Sequence, residues 1–87
     1  FYCNHYFANG DMSLFVGDAV EEILLIKPEE DGNAKMKVLA NHNTTWHYQR
    51  SHCHPTFSWD GKKLLYAADT DEWHDNLFLV DVPETID

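Results

Sequence analysis

At 87 residues, with 44% hydrophobic and 14% aromatic side chains, the chain has a globular composition but apolar mass for only a small core. Fifteen acidic residues against six basic ones give a formal net charge of −9, which argues against nucleic-acid binding because that requires a basic footprint. No run of about 18 apolar residues occurs, so no helix is expected to span a membrane and no membrane partner is assigned.

The opening Phe1-Tyr2-Cys3-Asn4-His5 has no initiator methionine, basic leader or cleavable apolar stretch, and reads as an excerpt of a longer sequence. Cys3 and Cys53 are too few for a disulfide framework and are read as free thiols in a reducing compartment.

The pattern along the chain is β throughout. Leu14-Phe15-Val16 is a short apolar run between the turn-like Asn9-Gly10-Asp11 and Gly17-Asp18. Glu22 to Lys27 predicts a second strand, closed by Pro28 and a polar Glu29-to-Asn33 turn. Lys35 to Ala40 predicts a third, with Met36, Val38 and Ala40 on one face and Lys35, Lys37 and Leu39 on the other. Asn41 to Ser51 is polar and aromatic without a period, and is expected to be a loop. His54-Pro55-Thr56-Phe57-Ser58-Trp59-Asp60-Gly61 then leads into Lys63 to Ala68. An acidic loop is expected over Asp69 to Asp75, and a last strand over Asn76 to Val82.

The two halves repeat. His5 to Asp11 aligns with His54 to Asp60, Leu14-Phe15-Val16 with Leu64-Leu65-Tyr66, and Ile23 to Ile26 with Leu77 to Val80. A period of about 50 residues fits one four-stranded propeller blade. Ser58 to Leu64 reads as the tight turn between two inner strands, with Asp60-Gly61 as its hairpin chemistry. The predicted fold is therefore all-β: about two four-stranded antiparallel blades, one over residues 1–48 and most of the next over residues 49–87. Two blades cannot close a ring, so further blades are required, and the missing outer strand of the second places the segment near a carboxy terminus. Left alone, such a fragment exposes blade faces and is expected to self-associate.

The stretch that carries chemistry is Trp46-His47-Tyr48-Gln49-Arg50-Ser51-His52-Cys53-His54-Pro55. His52 and His54 are two apart at the head of a strand, so their imidazoles project from one face, about 6–7 Å apart along it, and can converge on one ion. Gln49 precedes them by three residues, where a bend brings its carbonyl oxygen to the same ion. This donor set suits manganese, iron or zinc. The bland alternative is a pair of histidines at a blade rim, and His42, His47 and His74 are read in that way, as surface or hydrogen-bonding groups. His5, equivalent to His54 in the repeat, belongs at the central end of its own blade and is a candidate for lining the cleft. Arg50 is a candidate for a substrate carboxylate, and Trp46 for a cleft wall. Trp59 is assigned to packing against a neighbouring blade, and the acidic loop to solvent, since it lacks the glycine and spacing of a calcium loop.

Gln49-x-x-His52-x-His54-Pro55-x-Phe57-Ser58-x-Asp60-Gly61 resembles the metal-binding segment of oligogalacturonate lyases. Cys3-Asn4-His5 with Leu14 to Asp18, Asn41-His42-x-x-x-Trp46, and Leu79 to Glu84 extend the resemblance over nearly the whole chain. It implies a seven-bladed propeller that uses manganese to cleave oligogalacturonides, fragments of pectin, by β-elimination, with Gln49, His52 and His54 as metal ligands. The metal would neutralise the uronate carboxylate and stabilise the anion formed when the C5 proton leaves. The resemblance places a further histidine ligand and the histidine base upstream of Phe1, so this segment alone is expected to be inactive. Cys53 stands where the family commonly has proline, and a thiol beside the ion would favour a softer metal or an oxidation-sensitive site. The family's work on short imported oligomers points to the bacterial cytoplasm, with the periplasm as the other compartment. Two other readings share the repeat: a non-catalytic interaction platform like the translocation-associated propellers of bacterial envelopes, in which Gln-x-x-His-x-His has no role, and a propeller attached to a serine peptidase, of which no nucleophile elbow is visible.

Overall fold

The computed structural model describes residues 3–46, 52–71 and 74–86. Among these the secondary structure is entirely strand and turn, in two antiparallel sheets. The first has the order β1 (Tyr6–Ala8), β2 (Phe15–Asp18), β3 (Glu22–Pro28), β4 (Ala34–Asn41); the second has β5 (Thr56–Phe57), β6 (Lys63–Asp71), β7 (His74–Asp81). Each strand pairs with the next in sequence, which is the meander of a propeller blade. The innermost strands β1 and β5 lie beside one another, so the repeat seen in the sequence becomes two blades side by side.

The equivalence reaches the turns. Between β1 and β2, the Asn9 amide donates to the Leu14 carbonyl at 3.0 Å and the Ser13 amide to Asp11 Oδ1 at 3.0 Å. Between β5 and β6, the Ser58 amide donates to the Lys63 carbonyl at 2.9 Å and the Lys62 amide to Asp60 Oδ1 at 3.0 Å. Both turns need one left-handed residue, which is Met12 (φ 62°) in the first and Gly61 (φ 73°) in the second. These local hydrogen bonds hold the Asp11 and Asp60 carboxyls below the usual carboxylate range.

The main core lies where the sheets face each other. Val16, Ile23 and Leu25 of the first pack with Cys53, Phe57, Leu64, Tyr66 and Ala68 of the second. Ile86, from the segment after β7, closes the same cluster. Burying each of the larger aliphatic side chains stabilises by roughly 1.5–3 kcal/mol. β3 is buried on both sides, since Leu24 packs on Cys3 and Ala19 across its other face. That is why its sequence reads as an unbroken apolar run rather than an alternating one.

Two expectations change. A bulge between Ile23 and Leu24 shifts the β3–β4 register, so that Ala40 pairs with Ile23 while Val38 pairs with Leu24. Ala40 therefore joins Leu39 against the main core instead of sharing a face with Met36 and Val38, which stay exposed. The acidic stretch is also not an open loop: β6 and β7 run through it, with Asp69 opposite Asp75 and Asp71 opposite His74. The second sheet has three strands among the described residues, and Leu65, Leu77 and Leu79 stand exposed on it. Such a face is what an adjoining blade would cover.

Candidate metal centre

Residues that precede the innermost strands, at the same end of both sheets, form the site. His5 lies just before β1, and His52 and His54 just before β5. One nitrogen from each of these three imidazoles lies within 4.8 Å of the other two. The His5 and His54 ring centroids are 3.9 Å apart, His5 and His52 5.6 Å, and His52 and His54 6.1 Å.

The backbone is bent to achieve this. His54 has φ 43°, a left-handed conformation that a side chain this size adopts at a cost of about 1 kcal/mol or more. Trp46, the last described residue before residues 47–51, has φ 64°. Its indole edge meets the His52 ring at 5.1 Å, and its Nε1–H donates to the Val20 carbonyl at 3.0 Å. Asn4, Asp18, Ala19, Val20, Trp46 and His52 line a cavity of about 230 Å³ beside the cluster.

The loop that carries Trp46 is anchored from both sheets. The His42 Nδ1 accepts from the Thr44 amide at 3.1 Å, so its Nε2–H donates to the Ala19 carbonyl at 2.8 Å. Of the two readings offered for His42, surface or hydrogen-bonding, the structure shows the second, in a buried setting. Asp69 of β6 accepts from Thr44 Oγ1 at 3.0 Å, from the Thr45 amide at 2.7 Å, and from Thr45 Oγ1. Far from being solvated, Asp69 is 4% exposed and ties the second sheet to the loop leaving the first.

The donor set fits a divalent cation. His52 Nδ1 is buried and has no hydrogen-bond partner among the described residues, a costly state unless another group satisfies its lone pair. His54 is held below the usual histidine range, first by burial and then by the neighbouring His5, with His52 adding to the effect and Asp18 opposing it. Neutral imidazoles are what a borderline metal requires. The His5 Nδ1 is already engaged with Asp18 Oδ2 at 2.8 Å, leaving Nε2 for the cluster.

His52 and His54 thus come close together, and His5 joins them in one cluster of three imidazoles. Its equivalence to His54 in the repeat was the signal available in the sequence. Gln49 and Arg50 lie outside the described residues, as do His47 and Trp73. Cys53, by contrast, points away from the imidazoles. Its side chain is 1% exposed in the main core, and burial above all, followed by Asp18 and Asp69, pushes its thiol up to about 12. It is therefore a packing residue, not a soft ligand or an oxidation-sensitive group. Neither cysteine forms a disulfide. Trp59 does not pack on the first sheet but stands fully exposed at the tip of its turn.

No family model matches this chain. It is similar to the oligogalacturonate lyase of Dickeya dadantii (strain 3937), with 30% identity over 97% of this chain and 26% of that protein. Similarity to the oligogalacturonide lyase of Pectobacterium atrosepticum is the same, 30% identity over 97% of this chain and 26% of that protein. The crystal structure of an oligogalacturonate lyase from Vibrio parahaemolyticus superposes on 98% of this chain with a TM-score of 0.80 and 27% identity, using 25% of that structure. The chain spans about a quarter of the length of the curated relatives it matches.

Proposed function

Because this chain is a segment of a protein of the oligogalacturonate lyase family, we propose that it supplies the metal-holding face of an enzyme that cleaves oligogalacturonides by β-elimination. The observation that carries the reading is the cluster itself: three imidazoles from two adjacent blades, one with a buried nitrogen that has no hydrogen-bond partner among the described residues, within reach of a single ion. His5, His52 and His54 would hold the ion, most naturally Mn²⁺, and Gln49 would add its amide oxygen from the preceding segment. When bound, the ion supplies positive charge against the uronate carboxylate, lowering the barrier to loss of the C5 proton.

This chain's own residues bind and orient. Trp46, beside His52 and the adjoining cavity, would wall the cleft, and Arg50 would meet a second carboxylate. No residue of the segment is assigned the base, which is expected elsewhere in the protein. The remaining blades of a seven-bladed ring would cover the exposed Leu65, Leu77 and Leu79, and a bacterial cytoplasmic location agrees with the free, buried thiols. A fragment without those blades would self-associate through the same face.

The test uses the whole protein carrying this segment. After chelator treatment, absorbance of the unsaturated product from digalacturonate is followed as Mn²⁺ is restored, in the wild type and in His52→Ala/His54→Ala. Metal-dependent product in the wild type alone supports the proposal. An unsaturated product that forms equally well in the double variant removes the histidine centre from the reaction, and no product from any short uronide removes the lyase reading.

A further inference from the structure

We propose that Asp18 is a positioning residue for the metal centre, holding His5 in the tautomer and orientation that present its Nε2 lone pair to His52 and His54. The inference rests on the reading of the three histidines as ligands given above.

Asp18 ends β2 and is 0% exposed. Burying a carboxylate is tolerated where fixed donors replace water, and both of its oxygens are spent on one residue. Oδ1 accepts the His5 backbone N–H at 2.7 Å, and Oδ2 accepts from His5 Nδ1 at 2.8 Å. The main chain adds two more ties, from the Asn4 amide to the Asp18 carbonyl at 3.1 Å and from the Asp18 amide to the His5 carbonyl at 3.4 Å. The preceding Gly17 permits the close seating, because a Cβ there would fall 2.7 Å from Cys3 Sγ. Residues 3–5 are thus clasped onto Gly17 and Asp18.

In the proposed arrangement Nδ1 donates to Asp18 Oδ2, and Nε2 is the ring atom left to face His52 and His54. The same second contact orients metal-ligating histidines generally. An asparagine in this place would behave differently. Its oxygen would take the backbone N–H, its NH₂ would face Nδ1, and the imidazole hydrogen would move to Nε2, the atom aimed at the ion. Both Asp18 oxygens are engaged by His5, so its proposed action on the centre runs through that ring.

The experiment measures Mn²⁺ affinity and metal-free thermal stability of the whole protein as wild type, His5→Ala, Asp18→Asn and the double variant. The proposal expects Asp18→Asn to weaken Mn²⁺ binding by roughly 10–100-fold, with no further loss when it is added to His5→Ala, because Asp18 acts only through that ring. Affinity unchanged in Asp18→Asn, or an equal loss in the His5→Ala background, overturns it while leaving the metal reading intact. A wild type that binds no Mn²⁺ overturns the metal reading and this inference with it. Should Asp18→Asn fail to fold, imidazole ¹⁵N shifts of the metal-free wild type decide: a proton on His5 Nδ1 and a bare Nε2 support the proposal, and the reverse tautomer overturns it.

Discussion

His5 and His54 hold equivalent places before the innermost strands of adjacent blades, and their ring centroids stand 3.9 Å apart at an interplanar angle of 40°. Burial first, and then His5 beside it, hold His54 below the ordinary histidine range. The geometry is not free of cost, because His54 reaches it with a left-handed backbone.

That cost separates stability from function. Asparagine tolerates the left-handed region better than histidine does, so His54→Asn should leave the metal-free protein as stable as wild type, or more stable by up to about 1 kcal/mol. The same change should lower Mn²⁺ affinity at least about tenfold, as loss of one ligand from the set. Denaturant unfolding and metal titration on the same preparation check the pair of effects. A parallel fall in both would mean that His54 is held for packing.

Asp69 is predicted to be the strongest single anchor of the loop that carries Trp46. Asp69→Ala removes an acceptor of the buried Thr44 hydroxyl and of the Thr45 amide, and should destabilise by about 1–3 kcal/mol. Hydrogen exchange should accelerate first at the Thr45 amide, which donates to this carboxylate. Unchanged protection at Thr45 would contradict the anchor role.

The paired turns make a backbone prediction. Nothing lies within 4 Å of a Cβ built on Gly61, so Gly61→Ala meets only its positive φ and should cost about 1 kcal/mol. Met12→Gly, at the equivalent place in the other turn, should be neutral to stabilising, since it relieves that strain. Thermal unfolding of the two variants should therefore move in opposite directions, or leave Met12→Gly unmoved.

These turns also set an acid limit. Asp11 and Asp60 are held below their ordinary value of 3.8 by local amide and hydroxyl donors. A depressed folded-state value favours the ionised form, so the contribution is complete above pH 3.8 and is lost as pH falls below it. Asp11→Ala/Asp60→Ala should consequently flatten the fall in stability as pH drops below 3.8. A wild-type slope retained in the double variant would assign the acid sensitivity elsewhere.

Much of this was legible in the sequence, for identifiable reasons. The blade repeat was visible because its turns need Asp at one fixed place and a left-handed residue at the next, which Asp60-Gly61 advertises and Asp11-Met12 conceals. His52 and His54 were legible as a pair from their spacing, but a bent segment before β5, with His54 left-handed, and not strand alternation, brings them together. His5 was harder, since only the register of two blades, not local spacing, brings it to them. The bulge at Ile23/Leu24 left no sign in an apolar run that is buried on both faces. Asp69 was misread because an acidic cluster looks solvated until its neighbours are known; its partners Thr44 and Thr45 come from the other side of the metal motif. The place of Cys53 was not legible because it is set by the packing of the two sheets, which bury it with Val16, Phe57 and Leu64.

A corollary concerns the thiols. With Cys53 at 1% exposure and Cys3 at 7%, both raised by burial, neither should react with a thiol reagent at pH 8 until the protein unfolds. Two thiols should then appear together in denaturant. Rapid modification of Cys53 in the native state would contradict its place in the core.

The most direct measurement is a crystal of the whole protein soaked in Mn²⁺, with anomalous difference density recorded at the manganese edge. The account predicts one strong peak about 2.1 Å from a nitrogen of each of His5, His52 and His54. A peak elsewhere, or none at this cluster in a crystal that binds Mn²⁺, would contradict it.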